Sequence, residues 1–174
     1  MLREEFINAK RIVIKLGTNV LRNSEGEVAI SRIYSFIEDM AKLVKQGKEV
    51  ILVTSGAVGL GKKKLNLEST AEDGVKQACA AVGQSRLMSF YENGFGIYDV
   101  PIAQILLTED DFSLRYRYLS LRTTLNKILE FGVVPIINQN DTVSTIEMNP
   151  MMSGMKAVSY THIRAHETAA NLVC

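Results

Sequence analysis

On its residues alone, this chain reads as an α/β protein, an α/β/α sandwich around a mainly parallel sheet. Three features point there. Four short aliphatic runs recur along the chain, amphipathic helical segments separate them, and 47% of the 174 residues are apolar, enough for a sizeable core. Strands alternating with helices of this length build βαβ units, and those build parallel sheets.

Arg11 to Leu16 (RIVIKL) is the first expected strand, running out into Gly17, Thr18 and Asn19. Lys15 stands near its end, where its ammonium either snorkels to water or emerges into a crevice beyond the strand. From Ile30, apolar residues fall at 33, 36, 37, 40, 43 and 44, the spacing of one helix face, with Ser31 as the expected N-cap and Gly47 as the residue beyond the C-cap. Val50 to Val53 follows, with no polar alternation, as suits a strand buried on both faces. It stops at Thr54, Ser55, Gly56 and Ala57, small residues that let a ligand approach the backbone, and a helix is expected to start there. Strand, helix, strand with short connections is a right-handed unit that puts both strand ends on one edge.

Ala71 to about Tyr91 predicts a long helix whose small residues Ala80, Ala81 and Gly83 suggest close packing against the sheet. Val100 to Leu107 is the third expected strand, with Pro101 tolerable only near its start. Thr108 and Asp111 then open a helical turn in capping-box style. Tyr118 to Phe131 predicts a further helix with Leu121, Leu125, Ile128 and Leu129 as its stripe, ended by Gly132. Val133 to Ile137 is the fourth strand, breaking into Asn138, Gln139, Asn140 and Asp141.

Composition narrows the function. A formal net charge of +1, with no basic run interleaved with aromatics, gives no reason to expect nucleic acid as a partner. Lys62, Lys63 and Lys64 read as a solvated face. No apolar stretch approaches the roughly 20 residues that cross a bilayer, and Arg3, Glu4 and Glu5 precede any apolar run, unlike a signal peptide. Two cysteines make no disulfide framework, so a cytoplasmic location is expected.

Three strands end in small or polar clusters: Lys15 to Thr18, Thr54 to Ala57, and Asn138 to Asp141. Parallel strands bring all three to one edge, where a lysine and loop amides suit a phosphate and hydroxyl, amide and carboxylate groups suit a zwitterion. Phosphoryl transfer asks mainly for such positioning and charge neutralisation. Two other patterns fail. Gly56 to Lys63 approaches a phosphate-loop motif but has Lys63 where Ser or Thr must stand. His162 and His166 are four apart, but Glu167 follows the second histidine, so the zinc-protease pattern is absent.

KRIVIKLGTNVL (Lys10 to Leu21), VILVTSGAVGLG (Val50 to Gly61), KQACAAVGQSRLM (Lys76 to Met88) and GVVPIINQNDTVST (Gly132 to Thr145) resemble, in order and spacing, the glutamate 5-kinases of the amino acid kinase superfamily. The resemblance implies that superfamily's fold, truncated, over residues 1–147, with 148–174 a tail outside it, read either as appended foreign sequence or as a divergent C-terminal helix. It implies ATP-dependent phosphorylation of the γ-carboxylate of L-glutamate, the first step of proline biosynthesis, with Mg²⁺ held mainly by the nucleotide. By the same resemblance Lys15, also the catalytic residue, Gly17 and Thr18 bind ATP phosphates, while Ser55, Gly56, Asn140 and Asp141 bind glutamate. No protein metal ligand is implied. Proline is implied as feedback inhibitor and a homo-oligomer as the full-length assembly, and this piece alone is expected to be inactive. Gln139 departs from the family motif, which has Glu there. Two alternatives stay open: a non-catalytic amino-acid-binding or regulatory module, and the kinase half of a bifunctional pyrroline-5-carboxylate synthase.

Overall fold

The computed structural model describes residues 8–18, 20–21, 28–70, 72 and 74–143. The expected tail and its two histidines lie outside these residues. The elements, in order, are β1 (Arg11–Leu16), α1 (Ile30–Lys45), β2 (Glu49–Thr54), α2 (Ala57–Lys64), α3 (Val75–Gly96), β3 (Ile102–Leu107), α4 (Asp110–Ser113), α5 (Arg115–Glu130) and β4 (Val134–Gln139). The four strands form one sheet in the order β1-β2-β4-β3, and every pairing is parallel.

Alternation along the strands sends side chains to two faces. On one face Leu16, Val50, Leu52, Val134 and Ile136 pack with Ile33, Ile37 and Met40 of α1 and Leu87, Tyr91 and Phe95 of α3. On the other, Ile51 and Leu129 of α5 pack with Val13 and Ile137. The architecture is therefore the expected three layers. Right-handed crossovers place α1, α2 and α3 on one side while the chain moves outward from β1 to β3, and α5 on the other as it returns to β4. The connections that leave the carboxyl ends of β2 and β3 pass to opposite faces, with β4 between them, and ligands of open α/β sheets bind where such a change of side occurs.

Several boundaries differ from the sequence reading, each for a physical reason. Helix α1 begins at Ile30 with Ala29 as N-cap and no side-chain cap bond, so Ser31 lies inside its first turn and caps nothing. Its other end is as expected: Gly47 has φ 81°, and its N–H and that of Lys48 bond back to Val44 and Leu43 carbonyls. Helix α3 runs past Tyr91 to Gly96 because Phe95 is fully buried and Gly94 lets the helix lie on Ile37. Of its small residues, Gly83 faces α2 rather than the sheet. A Cβ on Gly83 would sit 1.7 Å from the Ala57 carbonyl oxygen, and one on Gly61 1.8 Å from that of Cys79. Strand β4 takes in Asn138 and Gln139, paired with Leu106 and Leu107, and breaks only at Asn140. The capping pair is as expected: Thr108 N–H and Oγ1 donate to Asp111 Oδ2 at 2.7 and 2.9 Å. The Thr108 N–H, helped by its hydroxyl and by Arg117, holds the Asp111 carboxyl below its usual range against a smaller effect of burial.

Candidate functional site

The polar ends of β1, β2 and β4 are next to one another, because these three strands are contiguous in the sheet. Register makes this concrete. Leu16 pairs with Thr54, and Val53 with Ile137, so the segments after Leu16, Thr54 and Gln139 leave the sheet at nearly one level.

Between the first two segments there is direct contact. Thr18 Oγ1 and Ser55 Oγ are 3.1 Å apart, and Ser55 Oγ donates to the Leu16 carbonyl at 3.4 Å. Gly56 makes the turn that follows: its φ of 100° lies in the left-handed region, and it is the N-cap of α2. The first N–H groups of α2 thus lie at this edge without intrahelical partners, an arrangement that favours anions. Around Gly17 the space is open, since a Cβ there would meet nothing within 4 Å, so a phosphate can approach its backbone. Lys15 is exposed and makes no ion pair among the described residues. It pairs with Val53, which puts it in the row of the α5 face, one residue short of the strand end.

The third segment is a turn. Asn140 N–H donates to the Leu107 carbonyl at 2.8 Å, and Val143 N–H to the Asn140 carbonyl at 3.3 Å, so Asp141 sits at a turn corner, half-buried like Asn140. Its place beside the other two segments comes from the sheet.

Beneath the site lies a polar layer that the sequence reading missed. Thr54 Oγ1 and the Tyr91 hydroxyl share a buried hydrogen bond of 2.7 Å, and Asn138 Nδ2 donates to Gln84 Oε1, also buried, at 2.7 Å. Burial pushes the Tyr91 hydroxyl up to about 12, only partly offset by its bond to Thr54. The available signal was spacing: Gln84, Leu87 and Tyr91 are three and four apart and therefore on one helix face, so a glutamine there was due to be buried. A groove of about 650 Å³ runs between α3 and β3, lined by Gln84, Ser85, Gln104, Leu106 and Thr142 among others, and ends beside the Asn140 turn.

Among the described residues, no group of three His, Cys, Asp or Glu side chains is arranged to hold a metal ion, and no helix is long and apolar enough to cross a membrane.

Comparison with known proteins places the chain in a family. Residues 10–153 match the amino acid kinase family. The chain is 49% identical over 148 residues to a glutamate 5-kinase of Desulfotalea psychrophila, covering 84% of this chain and 39% of the relative. It is 43% identical over 149 residues to the glutamate 5-kinase of Pelobacter propionicus, covering 85% and 40%, and 47% identical over 140 residues to that of Geobacter metallireducens, covering 80% and 38%. The chain thus spans about two-fifths of the length of these curated relatives. With its parallel sheet, its helices on both faces and a family match over most of its length, this chain belongs to the amino acid kinase family.

Proposed function

We propose that this chain is the amino-acid-binding and phosphate-binding part of a glutamate 5-kinase, which transfers the terminal phosphoryl group of ATP to the γ-carboxylate of L-glutamate. The names of the relatives support the substrate. The observation that carries the reading is the adjacency of three polar strand ends, two of them joined by the Thr18–Ser55 contact.

In this reading Ser55, Gly56, Asn140 and Asp141 hold the amino acid, with the Asp141 carboxylate facing its ammonium. Gly17 and Thr18 receive the phosphates through open backbone. Lys15 supplies a fixed positive charge where two anions must meet, and neutralising that repulsion is the main catalytic requirement of such a transfer. Mg²⁺, expected to be held mainly by the nucleotide, would supply neutralisation of phosphate charge. The bond formed joins a γ-carboxylate oxygen to phosphorus, and the bond broken is that between the phosphorus and the ADP oxygen. Residues that hold the adenosine end are expected in the part of the relatives this chain does not span, so the piece alone forms little or no acyl phosphate.

Calorimetric titration with L-glutamate tests the reading. The chain is expected to bind it saturably, Ser55→Ala to weaken binding about tenfold, the effect of about 1.4 kcal/mol, and Lys15→Ala to leave binding intact. Trapping with hydroxylamine in the presence of ATP and Mg²⁺ is expected to give no more than trace hydroxamate. Absence of glutamate binding would refute the assignment.

A further inference from the structure

Helix α3 takes part in the site without reaching its surface. It touches the polar ends of two strands through two buried hydrogen bonds, Tyr91 to Thr54 and Asn138 to Gln84, each 2.7 Å. Leu52 pairs with Ile136 and Val53 with Ile137, so Thr54 and Asn138 are neighbours in one row of the sheet. Thr54 immediately precedes Ser55–Gly56, and Asn138 stands two residues before Asn140–Asp141, both segments assigned to the amino acid. The same helix holds α2 by backbone contact at Gly61 and Gly83, and so fixes the far side of the Gly56 turn as well.

Packing alone does not call for these polar groups. The row lies in an otherwise aliphatic core, with Leu52 and Ile136 fully buried and Thr54 and Asn138 only 4% and 5% exposed. Gln84 is 8% exposed, and its Nε2 is without a partner among the described residues. An orphaned donor of this kind is destabilising, whereas an apolar pair of the same shape can be neutral. The bonds have a directional use that apolar contacts lack: they fix height and rotation at the last inward-facing residue of each strand.

We propose that α3 is a two-point clamp in which Tyr91 and Gln84 are positioning residues, setting the Ser55–Gly56 and Asn140–Asp141 segments at the separation that the amino acid substrate requires. This rests on the assignment of those segments to the amino acid.

Three variants test it in the whole chain, with L-glutamate as the probe and thermal melting as the control for folding. Gln84→Met removes the acceptor for Asn138 and is expected to weaken glutamate binding about three- to tenfold, the equivalent of one hydrogen bond's net contribution. Gln84→Glu keeps an acceptor oxygen at the same place and is expected to restore binding to within about twofold of wild type. Tyr91→Phe, which keeps the ring and its packing, is expected to weaken binding by the same about three- to tenfold as Gln84→Met. Folded Gln84→Met and Tyr91→Phe chains that bind like wild type would overturn the clamp, as would a folded Gln84→Glu chain as weak as Gln84→Met. A wild-type chain that does not bind glutamate would instead overturn the functional assignment beneath it.

Discussion

At the scale of single residues, the clearest determinant is the pair of glycines where α2 crosses α3. Gly83 has no room for any side chain, because a Cβ would lie 1.7 Å from the Ala57 carbonyl oxygen and 2.6 Å from the Gly61 nitrogen. These are backbone atoms that move only if the helices separate. Gly83→Ala is therefore expected to destabilise the chain by about 3 kcal/mol, as severe overpacking does, read as a lower denaturant midpoint at unchanged slope. Gly96→Ala, on the same helix but with nothing within 4 Å, is the matched control and is expected to be close to neutral or slightly stabilising. Ion pairing matters less. Arg11 and Lys10 lie 2.6 and 3.1 Å from Glu49 and tie the starts of β1 and β2 together. Burial pushes the Glu49 carboxyl up, but the hydrogen bonds and charges of Arg11 and Lys10 together hold it below its usual range.

At the scale of elements, α3 decides most. It is fully buried at Cys79, Tyr91 and Phe95 and carries both polar contacts to the strand ends. The Tyr91 hydroxyl gives this a pH signature. Its value rises from 10 to about 12 on folding, so the folded state keeps a proton that the unfolded state releases. The related stability is complete below pH 10 and is lost as pH rises toward 12. The stability at stake is on the order of a few kcal/mol. Denaturant unfolding at stepped alkaline pH is expected to show this loss in the wild type and a smaller one in Tyr91→Phe; equal losses in both would assign it elsewhere.

Legibility from the sequence follows the same division. The four strands, their direction and the helix stripes were readable because aliphatic runs and three-four spacing are local properties. The contact between Gln84 and Asn138 spans 54 positions, and without it Asn138 looks like the start of a loop. For the same reason the end of β4 was read too early. The end of α3 was missed because Gly94 and Gly96 look like punctuation until Ile37 is seen packed against the first of them. Lys15, Thr18, Ser55 and Asp141 were legible as candidates because each stands at the end of a run. The sheet order that inserts β4 between β2 and β3, and so makes three of those ends adjacent, has no local signature.

At the scale of the whole molecule, the sheet brings the segments proposed to bind phosphate and amino acid to one edge in a chain of the amino acid kinase family. The side chains that bear charge are sparse there, and the proposed binding groups are chiefly backbone amides, hydroxyls and one turn. Such a site depends on the relative placement of segments distant in sequence rather than on any single residue. The most direct test is therefore a residue-resolved titration of the isotope-labelled chain with L-glutamate, followed by amide NMR. The amide signals of Ser55, Gly56, Asn140 and Asp141 are expected to move together with one dissociation constant, while those of β1's first residues stay still. Movement of one segment without the other, or of neither, would contradict a shared amino acid site at the ends of β2 and β4.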